Sequence, residues 1–138
     1  MEEEKAGKKI KGFTIEYPRI VDTILTEAYV SYNGFVKKAV AMWDTGAMRS
    51  ALDSCIIDDL EIKSESKRRM YYYGGETEAD VFTVDIVLPA GIVVPNVSAN
   101  STVLEGHDFN VIIGMDIISQ GDFRIDNSSG KTVFTFMM

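Results

Sequence analysis

Two segments of alternating character, ILTEAYVSY (Ile24 to Tyr32) and FVKKAVAMW (Phe35 to Trp43), are separated only by Asn33-Gly34. That dipeptide readily takes positive φ at both positions, so it predicts a tight β-hairpin and pairs the two segments as antiparallel strands. The second strand then ends on a carboxylate, in AMWDTGAMRS (Ala41 to Ser50). An aspartate at the end of an apolar strand is costly unless something uses or satisfies it. Asp44 is therefore the first candidate functional residue.

The rest of the chain continues in short strands. VFTVDIVL (Val81 to Leu88) places Phe82, Val84, Ile86 and Leu88 on one face, and Pro89-Ala90-Gly91 turns the chain into IVVPNVSANSTVL. DFRIDNSSGKTVFTF predicts two strands joined by a polar turn at Asn127 to Gly130. Helical spacing is confined to SALDSCIIDDLEI, with Leu52, Ile56 and Leu60 four residues apart, and to one further turn in MDIISQ. The expectation is a mainly β protein, a small closed or partly closed β-barrel with one or two short helices.

With 138 residues, 46% of them hydrophobic and 25% charged, the chain can bury one ordinary core. We expect a charged N-terminal segment over 1–12, MEEEKAGKKIKG, with no fixed structure required of it, and one domain over 13–138. A formal net charge of -7 argues against a nucleic-acid surface, and Lys67-Arg68-Arg69 is too short a basic run to reverse it. One cysteine, Cys55, forbids an intrachain disulfide, and one histidine, His107, forbids a multi-histidine metal site. Cys55 reads as a small core residue and His107 as a surface-loop residue. Neither a secretory leader nor a membrane span is visible, which predicts a cytoplasmic protein without a membrane partner. The sequons at Asn96, Asn100 and Asn127 read as chance matches in Asn/Ser-rich turns.

Asp-Thr-Gly alone is a weak signal, because an Asx-turn ending a strand explains it. FNVIIGMDII repeats the same grammar further along: an apolar strand, Val111 to Ile113, runs into Gly114 and a short helical turn. The order of strand, Asp-Thr-Gly-Ala, helix, glycine-centred hairpin, strands, hydrophobic-hydrophobic-Gly and short helix resembles the retroviral-type aspartic proteases, the retropepsins. The IIGMD…GDF ending is similar to that of bacterial single-domain members. The resemblance spans roughly Ile24 to Phe136 and implies the closed barrel of that family.

The resemblance further implies an aspartic endopeptidase. Asp44 matches the catalytic aspartate, Thr45 the hydroxyl that ties two active-site loops together, and Gly46 the backbone beside bound peptide; Ala47 completes the motif. MYYYGGETEADVF (Met70 to Phe82) resembles the flap that closes over substrate, with its tip at Gly74-Gly75. Two glycines there also make independent sense, since both are free to take positive φ. Tyr72 and Tyr73, with Tyr71, are candidates to contact peptide, as is Ile112 beside the second motif. Hydrolysis by this route needs two carboxylates sharing one proton, yet the chain holds one Asp-Thr-Gly. A homodimer is implied, with Asp44 of each copy facing the other. Water is the nucleophile, so no metal or organic cofactor is required.

Met48 and Met115 stand where many viral enzymes carry an acid and an arginine, which predicts an apolar contact in place of an ion pair. Asp116 reads as a helix N-terminal acid satisfied by backbone N–H groups. Trp43 reads as a core or interface residue, and KSESKRR as a solvated approach to the flap. The alternative from another class is a catalytically silent protease-fold module that binds peptide or protein, with Asp44 serving only to anchor a loop.

Overall fold

In the computed structural model, which describes residues 10–138, the segment expected to lack fixed structure falls mainly outside the described residues, and the chain is already in a strand at Gly12. Ten strands follow in order: β1 (Gly12–Glu16), β2 (Leu25–Tyr32), β3 (Phe35–Trp43), β4 (Ala51–Asp53), β5 (Ser66–Tyr72), β6 (Gly75–Leu88), β7 (Ile92–Thr102), β8 (Val111–Ile113), β9 (Asp122–Asp126) and β10 (Val133–Met137). Two short helices interrupt them, α1 (Ser54–Asp59) and α2 (Met115–Ile118).

Strands β2-β3-β8-β4-β7-β6 form a ring that closes through β2–β6 pairing, and β5 extends outward on β6. Ala28, Ala39, Ala41 and Ala99 face its interior beside Val30, Leu52, Ile86 and Ile113. A barrel this narrow has no room for a large side chain from every strand, which accounts for the alanines. β1, β10 and β9 form a separate three-stranded antiparallel sheet packed on the barrel.

The hairpin expected at Asn33-Gly34 is present, with Tyr32 paired to Phe35 and positive φ at both turn residues, 50° and 81°. The helix expected across Ser50 to Ile62 begins later. Ala51 to Asp53 are instead a strand between β7 and β8, because two neighbours satisfy its backbone and all three side chains are buried. Leu52 and Ile56 both reach the core, one from the strand and one from the helix, and so mimic a helical repeat. Cys55 is one position off that face and is exposed, so the core reading of it is corrected.

β1 was not legible in the sequence. β7 continues through Pro95, which has no N–H, by means of a register shift opposite Val84 to Ile86; there Asn96 takes φ 54° and its N–H donates to Asp85 Oδ1 at 2.9 Å. Of the three sequons, Asn96 and Asn100 lie in this strand rather than in turns, and Asn100 is buried.

Trp43 carries the joint between barrel and sheet. Its ring lies 4.9 Å from Phe136, 5.0 Å from Phe134 and 5.9 Å from Phe13, and its Nε1–H donates to Thr26 Oγ1 at 2.9 Å. The residue before Asp44 is thus anchored on both the sheet and the barrel. Trp43→Ala is expected to lower unfolding free energy by about 3–5 kcal/mol, read from urea unfolding, since it empties the centre of this aromatic cluster.

Candidate active site

β8 threads between β3, to which it runs parallel, and β4, to which it runs antiparallel. The loop from Asp44 to Ser50 therefore has to pass around the end of β8, and the backbones meet there. Asp44 N–H donates to Ile113 O at 2.8 Å, Met115 N–H to Ala47 O at 2.7 Å and Asp116 N–H to Met48 O at 3.2 Å. Gly114 is required by this approach: a Cβ on it would sit 2.8 Å from Ala47 O and from the Arg49 carbonyl. Asn110 secures the other end of β8, its Oδ1 accepting from Val40 N–H and its N–H donating to Val40 O, each at 2.9 Å.

The Asp44 carboxylate projects from this frame. Its Oδ1 accepts the Gly46 N–H at 2.8 Å, an Asx-turn that fixes the rotamer, and among the described residues its other oxygen makes no hydrogen bond. Thr45 and Gly46 are exposed, Ala47 is partly buried, and Met48 is 80% exposed. A hollow of about 390 Å³ opens beside Asp44, walled by Trp43, Thr45, Met42 and Phe123.

Within the chain, the Asp44 loop is tied to the turn after β8 by Ser50 and Asp116, which sequence reasoning did not single out for this. Ser50 Oγ–H donates to Asp116 Oδ1 at 2.8 Å and accepts Gly114 N–H at 3.1 Å, while Ser50 N–H donates to Asp116 Oδ2 at 2.9 Å. Asp116, expected as a helix N-terminal acid satisfied by backbone N–H groups, accepts two of them, from Ser50 and, at 3.0 Å, from Ile117, with the Ser50 hydroxyl as a further donor. Met115, like Met48, lies at the surface, with 37% exposure.

The second element is the β5–β6 hairpin. Its tip is Tyr73-Gly74, not Gly74-Gly75: Tyr72 pairs with Gly75, and Gly74 alone takes a positive φ, 97°. Gly75 opens β6 because one left-handed residue suffices for the turn. Tyr71, Tyr72 and Tyr73 are all well exposed. By strand alternation Tyr72 shares a face with Met70 and Arg68, both partly buried, and Tyr71 shares the opposite face with Lys67 and Arg69. Ile112, partly buried, pairs with Met42 and Ala51 beneath the Asp44 loop.

His107 is exposed and packs on Phe109, 5.1 Å away between ring centroids. Cys55 Sγ–H donates to Asp53 Oδ2 at 2.9 Å, and this bond, with burial and the Asp53 charge, raises the thiol pKa. A thiol held protonated is a poor nucleophile. The same bond, with backbone donation from Leu104 and Ser54, lowers the Asp53 pKa against the opposing effect of burial. Among the described residues no group of His, Cys, Asp and Glu could hold a metal ion, and no helix is long and apolar enough to cross a membrane.

A family model described as aspartyl protease matches residues 28–117, and the chain belongs to that family. The fold is retropepsin-like. It is similar to the crystal structure of a retropepsin-like aspartic protease from Rickettsia conorii, at 22% identity over 94% of this chain and 96% of that one, with a TM-score of 0.59. A simian foamy virus protease matches at 14% identity over 68% of this chain and 92% of its own, TM-score 0.48. No curated protein matches the chain significantly.

Gly114→Ala is expected to force the two loops apart and lower stability by about 1–3 kcal/mol in urea unfolding. Because the folded-state pKa of Asp53 is lowered, its contribution is complete above the ordinary value of 3.8 and is lost as pH falls through the folded value. Asp53→Asn should therefore be less stable than wild type at pH 7, with a gap that narrows when unfolding is repeated below pH 3.8.

Proposed function

We propose that the protein is an aspartic endopeptidase that works as a homodimer, with Asp44 of each copy forming the carboxylate dyad. The observation that carries this reading is an Asp44 carboxylate held in one rotamer at the rim of the barrel, on a loop whose outer side is exposed. A second copy meeting that exposed side would bring the two Asp44 residues together and cover Thr45 and Met48.

The chemistry follows from that pairing. Two adjacent carboxylates cannot both ionise freely, so the pair holds one proton, the arrangement known for aspartic proteases as a class. The ionised partner takes a proton from water as the water oxygen attacks the peptide carbonyl carbon. The protonated partner hydrogen-bonds the carbonyl oxygen and neutralises its developing charge. Thr45, whose hydroxyl makes no hydrogen bond among the described residues, is proposed to bond the partner's Asp44–Thr45 loop and hold the dyad in register. Met48 and Met115 supply apolar surface to the same contact.

Peptide is proposed to lie extended between the Gly46–Ala47 backbone and the β5–β6 hairpin acting as the flap. Gly74 lets the tip move, Gly75 beside it keeps the start of β6 open to the peptide, Tyr72 and Tyr73 pack on the bound chain, and Ile112 lines the floor. The glycine at the tip leaves the turn free to change conformation at small steric cost.

Asp44→Asn keeps an oxygen for the Gly46 N–H and removes the ionisable pair. Cleavage of a mixed peptide library between mildly acidic and neutral pH should fall by at least about a hundredfold, with the fold retained by circular dichroism. Wild-type cleavage should show a bell-shaped pH profile, set by the two protonation steps of the pair. Cleavage unaffected by the substitution contradicts the assignment.

A further inference from the structure

The two basic residues nearest the Asp44 loop and the flap base are placed differently from their neighbours. On β5 the flanking cations are both matched on the hairpin's outer face, Lys67 with Asp80 at 3.7 Å and Arg69 with Glu76 at 3.9 Å. Arg68, between them, points to the opposite face and is partly buried. Its guanidinium is held by neutral groups, donating to Asn100 Oδ1 at 2.9 Å and to Ser98 Oγ at 2.8 Å. These contacts fix its position without neutralising it.

Asn100 connects this arginine to the loop. It is buried, its N–H donates to Ser50 O at 3.0 Å, and Ser50 follows Arg49 directly. Arg49 is exposed and, among the described residues, makes no ion pair. The two arginines thus flank one Asn100–Ser50 contact, Arg68 from the flap base and Arg49 from the Asp44 loop. They are close enough that the Arg49 charge adds to burial in lowering the Arg68 pKa, with Asp116 acting against both. The Asp116 carboxylate is already committed to Ser50 and Ile117 donors.

We infer that Arg49 and Arg68 form an outer subsite of the peptide cleft that selects an Asp or Glu side chain several residues from the cleaved bond. The inference rests on the endopeptidase reading above and names part of its substrate class. Two neighbouring guanidinium groups, one anchored on β5 and one carried by the Asp44 loop, offer more N–H donors to a carboxylate than a single lysine can supply. A chain with net charge -7 otherwise repels acidic peptides, so local positive charge here has a specific consequence.

The test uses extended peptides with a hydrophobic pair at the centre, carrying Glu, Gln or Lys at one outer position at a time. Cleavage is measured as kcat/KM for wild type, Arg49→Gln and Arg49→Glu, and binding by fluorescence anisotropy on Asp44→Asn with and without each Arg49 change. At one outer position Glu should be preferred over Gln by about fivefold, the scale of a partly exposed ion pair, and the preference should weaken with salt. Arg49→Gln should remove it and Arg49→Glu should turn it toward Lys, a gain that a misfolded variant cannot produce. Equal handling of Glu and Gln at every position, or failure of every peptide to bind, overturns the inference. Cleavage without acidic preference defeats this subsite and leaves the protease reading standing; acidic preference in binding without cleavage does the reverse.

Discussion

The structure depends on a close contact of backbone with backbone. The Asp44 loop and the end of β8 approach until Gly114 has room for a hydrogen but not a methyl group, and three main-chain hydrogen bonds close the gap. Everything functional is referred to this contact. Asp44 leaves β3 immediately after Trp43, whose ring is fixed among Phe13, Phe134 and Phe136, so the carboxylate is aimed by two rigid supports. Ser50 and Asp116 then lock the returning limb, leaving only the segment between, from Thr45 to Arg49, without burial in the core.

An exposed loop, pinned by hydrogen bonds and bearing a carboxylate, poses a chemical question. One carboxylate in water is a weak base and, once ionised, offers no proton to a carbonyl. Pairing it with an identical carboxylate solves both problems, because each member sets the protonation state of the other. The small barrel cannot supply that partner from its own core, which is filled by alanines and branched aliphatic residues. Symmetry supplies it without a second gene segment, and this is the physical basis of the proposed dimer.

Much of the fold was legible in the sequence. Asn33-Gly34 fixed the register of β2 and β3 and so the delivery of Asp44, and the Val111–Ile113 strand ending at Gly114 was read with the correct bounds. Local patterns succeeded there because local chemistry decides the outcome. Ala51 to Asp53 failed because pairing with two distant strands, absent from any local window, overrode a helical repeat. Cys55 failed because it lies next to Ile56 on the helix and therefore points away from the face that Ile56 buries. The tip of the β5–β6 hairpin was misplaced by one residue because two adjacent glycines hide which of them turns. Ser50 and Arg68 carried no motif: their contacts come from neighbours that lie far away in the chain.

The central claim, that the working unit uses one Asp44 from each of two copies, is tested most directly by mixing subunits. Wild type and Asp44→Asn are combined at fixed total concentration, unfolded and refolded together, and assayed for peptide cleavage. Activity is predicted to follow the square of the wild-type fraction, because only pairs with both carboxylates hydrolyse. A linear dependence on the wild-type fraction, with mixed pairs shown to form, would mean that each chain works alone and would contradict the account.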